Sequence, residues 1–82
     1  MILVDVYIPI IQKTYDFMLE ETINVQTAID EIVEMVCQKE GFASVNNTNG
    51  FNLFLCYSQQ LLVNNKSLSE NGVVTGDRLI LA

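Results

Sequence analysis

Residues 22–41 read TINVQTAIDEIVEMVCQKEG, and their spacing decides the fold. At about 100° per residue, Val25, Ala28, Ile29, Ile32 and Val36 fall on one side of a helix. Gln26, Asp30, Glu34 and Gln38 fall on the other. Thr22 or Asn24 can cap the start, because either side-chain oxygen can accept an orphan backbone N–H. Lys39 stands in the last turn, where a cation favours the negative helix end. Gly41 follows, free to take the left-handed conformation that closes a helix.

On the N-terminal side of this helix the period changes from 3.6 to 2. In residues 1–8, Ile2, Val4, Val6 and Ile8 point one way, and Leu3, Asp5 and Tyr7 point the other. Pro9 lacks the N–H a ladder needs, so residues 9–12 are expected to turn. Residues 13–21 alternate again, with Tyr15, Phe17 and Leu19 inward. Two strands with a short loop between them read as an antiparallel hairpin.

On the C-terminal side, Phe42 is expected to pack back beneath the helix. Residues 43–50 are polar and rich in Asn, ending in the turn signal Asn49-Gly50. Residues 51–58 read as a third strand, with Leu53, Leu55 and Tyr57 inward and Asn52, Phe54, Cys56 and Ser58 outward. Gln59-Gln60 turns the chain, residues 61–63 form a short fourth strand, and residues 64–66 turn it again. Residues 68–75 form a compact loop anchored by Leu68 and Val73. Gly76-Asp77 is a turn, and residues 78–82 are the last strand, with Leu79 and Leu81 inward. No internal repeat, linker or low-complexity segment interrupts residues 1–82, which read as a single domain.

The order is β-β-α-β-β-β. One helix with one apolar face and one sheet with one apolar face must bury each other. The expected class is therefore α+β, with the helix packed on a mixed sheet of four to five strands. The last strand is expected beside the first, in the middle of the sheet.

Composition narrows the function. Half of the 82 residues are hydrophobic, enough for a real core, and the net charge is −6. The cations are Lys13, Lys39, Lys66 and Arg78. Nucleic acid and anionic membrane surfaces both call for clustered Lys and Arg, so neither is an expected partner. No apolar run approaches the roughly 20 residues of a membrane span. Met1 leads directly into a strand pattern without a basic leader, so a cytoplasmic protein is expected. Cys37 and Cys56 then read as reduced thiols, too few for a four-thiolate iron–sulfur cluster. Without histidine, zinc is not expected. Asn46-Asn47-Thr48 and Asn65-Lys66-Ser67 match the glycosylation pattern and read as polar loops. Cys37 lies at the edge of the helix's apolar face as a small packing residue, and Cys56 faces outward with no base beside it. Asp30, Glu31 and Glu34 read as a solvated helix face. No cofactor, metal or catalytic residue is expected, and the protein is not expected to be an enzyme.

Several stretches carry a resemblance. The helix ends in Lys39-Glu40-Gly41, and the closing segment runs Leu68-Ser69-Glu70-Asn71-Gly72-Val73, then Gly76-Asp77-Arg78-Leu79-Ile80-Leu81. With the element order, this resembles the ubiquitin-like β-grasp fold. Lys13-Thr14-Tyr15-Asp16-Phe17, Gln60-Leu61-Leu62-Val63-Asn64-Asn65 and the Gly76-Asp77 ending resemble the YukD/EsaB proteins of type VII secretion systems. That resemblance implies a cytoplasmic, non-conjugated accessory or regulatory component of a WXG100-exporting apparatus in Gram-positive bacteria. It also implies a protein partner, a cytoplasmic domain of that apparatus, at the inner side of the membrane. The alternative is a ubiquitin-like or sulfur-carrier protein whose Gly-Gly tail lies beyond Ala82. The stretch Leu79-Ile80-Leu81-Ala82 carries no such tail.

A sheet covered on one side by a helix shows water a mostly polar outer face. Here the alternation turns Leu3, Tyr7, Phe54, Cys56, Ile80 and Ala82 outward, and Ile10 and Ile11 in the first turn extend the set. If the three strands are neighbours, these side chains form one apolar patch, where the family resemblance also places ubiquitin's main recognition surface. The patch is the expected site for a protein partner or for a homodimer. Asp5, Asp16 and Glu20 around it should steer a basic partner.

Overall fold

The computed structural model describes residues 1–42 and 50–82. The expected Asn49-Gly50 turn and the Asn46-Asn47-Thr48 stretch fall wholly or partly outside the described residues. Strand β1 (Ile2–Ile8) is followed by one turn of 3-10 helix (Pro9–Ile11), β2 (Lys13–Leu19), helix α1 (Val25–Glu40), β3 (Leu53–Leu55), β4 (Gln60–Leu61) and β5 (Arg78–Leu81). The sheet order is β2-β1-β5-β3-β4. β1 and β5 are parallel, and the other pairs are antiparallel. The last strand thus lies beside the first, in the middle, as the sequence led us to expect.

The core joins the two periodicities. Ile2, Val4, Val6, Ile8, Phe17, Leu19, Leu53, Leu79 and Leu81 from the sheet meet Val25, Ala28, Ile29, Ile32, Val33, Val36 and Cys37 from α1. Each buried aliphatic side chain contributes about 1.5–3 kcal/mol. Leu68 and Val73 are buried and pin the loop before β5. Within that loop Ser67 and Glu70 bond reciprocally. The Ser67 N–H donates to Glu70 Oε1 at 2.9 Å, and the Glu70 N–H donates to Ser67 Oγ at 3.1 Å.

The helix ends differ in how they are closed. Gly41 takes φ 75° and donates its N–H to the Cys37 carbonyl, the left-handed closure expected there. At the other end Asn24 is the cap, but its side chain makes no capping hydrogen bond. The Val25 N–H donates to the Lys66 carbonyl at 3.0 Å, and the Gln26 N–H donates to the Asn64 carbonyl at 3.2 Å. A neighbouring loop fills the role assigned to Thr22 or Asn24, because it already lies across the helix start.

Three further expectations need correction. Phe42 is 53% exposed instead of tucked beneath the helix. The chain leaves α1 through the left-handed Gly41, and the ring borders an apolar cavity with Val33, Val36 and Cys37 without being buried there. Tyr57 is fully exposed instead of inward. β3 ends at Leu55, and residues 56–59 turn with Gln59 at φ 55°, so the alternation stops before Tyr57. β4 is Gln60–Leu61 instead of residues 61–63, beginning one residue earlier and ending two earlier, with Leu62 buried and Leu61 exposed.

A polar cluster ties β2 to the end of α1. Lys13 Nζ lies 2.9 Å from both Glu40 carboxylate oxygens. The Tyr15 hydroxyl donates to Glu40 Oε2. Lys39 Nζ sits 5.6 Å from the centre of the Tyr15 ring, within cation–π range. The bond from Tyr15, then the ammonium of Lys13, hold the Glu40 carboxyl below its ordinary 4.5. The same bonds to Glu40 raise Lys13 and Tyr15 above their ordinary values. A lowered carboxyl stabilises the fold above its unfolded pKa and loses that stabilisation as pH falls through its folded value. The raised groups stabilise below their unfolded values and lose it as pH rises through the folded ones. Glu40→Gln should therefore lower the melting temperature at neutral pH. Its difference from the wild type should shrink below pH 4.5, and again in strong alkali. Melting curves across pH check this, and a difference independent of pH would count against it.

Candidate functional site

The outer sheet face is built by register. Tyr7 pairs with Ile80, Ile80 with Phe54, and Phe54 with Leu61. Residues paired across neighbouring strands share a face, so these four form a row across β1, β5, β3 and β4. With strands about 4.8 Å apart, the row is about 15 Å long. Tyr7, Phe54 and Ile80 are half-buried, and Leu61 is exposed. Phe54 and Ile80 were expected to be exposed; mutual packing in the row covers part of each.

The remaining expected residues divide. Cys56 lies just past β3, half-buried, with its N–H donating to the Arg78 carbonyl at 2.9 Å. Ala82 is exposed and exchanges both backbone hydrogen bonds with Asn52, at 2.9 and 2.6 Å. Both flank the row. Leu3 is exposed and pairs with Met18 on β2, but Asp5 and Asp16 come between this pair and the row. The patch is therefore two apolar clusters instead of one. Ile10 is 84% exposed at the sheet's end. Ile11 is a correction: it packs against the core and does not extend the outer face. Ile10 and Ile11 both border an apolar cavity of about 70 Å³, shared with Ile8, Val36, Cys37 and Leu81. Both isoleucines of the 3-10 turn thus border the core side of the sheet's end, Ile11 partly covered and Ile10 largely open to water.

Leu61 and Met18 belong to this surface and were not assigned to it from the sequence. Met18 was legible as an outward position of β2. Leu61 was not, because Leu61-Leu62-Val63 has no alternation.

Charge separates the two clusters. Asp5 pairs directly with Asp16, and Arg78 lies in register beside Asp5, with NH2 3.9 Å from Asp5 Oδ2. A hydrogen bond shared with Asp5, then repulsion from its charge, push the Asp16 carboxyl above the usual range. Among the described residues no group of three or more His, Cys, Asp or Glu side chains could hold a metal, and no helix is long and apolar enough to cross a membrane. What this face offers is apolar area bordered by negative charge.

No protein-family model matches the chain, and no curated protein matches it in sequence. Solved structures do. The EccD5 ubiquitin-like domain from Mycobacterium xenopi matches with TM-score 0.74 and 24% identity, over 99% of this chain and 91% of that one. A ubiquitin-like domain of an Arabidopsis thaliana protein matches with TM-score 0.74 and 20% identity, over 99% and 74%. A component of the ESX-5 inner membrane complex matches with TM-score 0.74 and 23% identity. There the match covers 99% of this chain and a fifth, 20%, of that one. The fold is the ubiquitin-like β-grasp, one helix on a mixed five-stranded sheet.

Proposed function

We propose that this chain is a non-catalytic protein-interaction module serving a type VII secretion system. It acts as an accessory or regulatory component of the YukD/EsaB kind, in the cytoplasm of a Gram-positive bacterium that exports WXG100 substrates. The observation that carries the reading is the end-to-end likeness to the EccD5 domain, over 99% of one chain and 91% of the other. The ESX-5 inner membrane complex contains a domain of the same shape, which supports a partner within a membrane-bound apparatus. The row Tyr7, Ile80, Phe54 and Leu61 offers the surface for it.

Deleting the gene in its host is expected to reduce export of the WXG100 substrates. The wild-type gene should restore it, and a gene carrying Phe54→Ser with Ile80→Ser should not. Unchanged export after deletion overturns the secretion reading.

A further inference from the structure

We propose that the outer sheet face receives an amphipathic helix of another protein whose contact side runs apolar, cationic, apolar, with the cation seated against Asp5 and Asp16. This rests on the interaction role proposed above and specifies its partner.

The three rows across the sheet supply the pattern. Leu3 and Met18 form one apolar cluster, Asp5 and Asp16 the acidic row, and Tyr7 with Ile80 and Phe54 the second apolar cluster. Residues two apart on a strand lie about 6.7 Å apart, so Leu3 and Tyr7 stand about 13 Å apart with Asp5 midway. On a helix rising 1.5 Å per residue, positions i, i+4 and i+8 lie at about 0, 6 and 12 Å along one side. The two spacings match. A helix also suits the face in another way. The strand N–H and C=O groups beneath are engaged with each other, so an extended segment laid on top would leave its own backbone unpaired.

The charge selects the sign. Two carboxylates directly opposite each other destabilise a strand pair. Arg78 relieves them only in part, from 3.9 Å and with its side chain 60% exposed. The Asp16 carboxyl is correspondingly pushed up by its bond to Asp5 and by that neighbour's charge. An arriving Lys or Arg, covered on both sides by apolar contacts, would neutralise the pair where water screens least. The net charge of −6 steers such a partner toward the face. A second copy of this chain would bring the same two carboxylates and the same −6, so it is the wrong occupant.

The test uses two synthetic helical peptides of about 16 residues, long enough to hold a helix when stabilised by design. Both carry leucine at i and i+8. One has arginine at i+4 and the other glutamine. The arginine peptide is expected to bind the wild type at least tenfold more tightly than the glutamine peptide. Asp5→Asn with Asp16→Asn should erase that difference, with melting curves confirming that the variant is folded. Phe54→Ser with Ile80→Ser should weaken both peptides. Equal binding of the two peptides that is lost on the Phe54 and Ile80 change defeats the cation and leaves the interaction face standing. Failure of both peptides to bind the wild type defeats the proposed helix, while the secretion assay judges the interaction role separately. Self-association in sedimentation that disappears with Phe54→Ser and Ile80→Ser would give the face to a second copy and overturn the proposal.

Discussion

Ile32→Ala is expected to cost about 2–5 kcal/mol, the range for emptying a buried aliphatic site. Ile32 is fully buried on α1 and belongs to the core formed by helix and sheet. Domains of this size are stable by only about 5–15 kcal/mol, so the loss is a large share of the whole. The melting temperature should fall by on the order of 10 °C or more. Ile32→Val removes a single methylene and should cost about 0.5–1.5 kcal/mol, which separates cavity formation from general damage to the helix. Urea titration of the three proteins measures this. If Ile32→Ala and Ile32→Val are equally mild, the helix does not pack through this face.

Phe54→Ser with Ile80→Ser should cut partner affinity at least tenfold, about 1.4 kcal/mol. The two residues pair in register at the centre of the outer row. They are half-buried, so the double variant should melt a few degrees lower while keeping a cooperative transition. Binding by titration and folding by circular dichroism are read on the same samples. Loss of the cooperative transition would mean these side chains belong to the structural core. A folded variant with unchanged affinity would move the interaction to another surface, and the polar side of α1 around Glu34 is the next to test.

The fold was legible wherever one clean period ran long enough. Ile2, Val4, Val6 and Ile8 alternate through a whole strand, and the five apolar positions of α1 repeat over about three turns, so both faces could be assigned. The pattern gave out where it was short or uniform. Tyr57 continued the alternation of Leu53 and Leu55 on paper, yet a backbone turn through Gln59 ends the strand first, and no side chain announces a positive φ at glutamine. Leu61-Leu62-Val63 and Ile10-Ile11 are runs of like residues, in which hydrophobicity carries no facing information. The outer patch was readable as a set of exposed apolar positions. Its division into two clusters was not, because that depends on Asp5 meeting Asp16 across strands whose pairing only the fold determines. The closing of the helix start by residues 64 and 66 was equally hidden, since it joins segments some forty residues apart.

The parallel pairing of β1 with β5 reaches beyond stability, to the order in which the domain can assemble. The two strands joined there are the first and the last of the fold's five strands. Until Arg78–Leu81 docks, the hairpin of β1 and β2 has one open edge, and the helix lacks the strand that joins the two halves of the sheet. Local hairpin and helix contacts can form early, but the central closure must wait for this long-range pairing. A domain deprived of β5 therefore exposes apolar surface that the folded domain never shows.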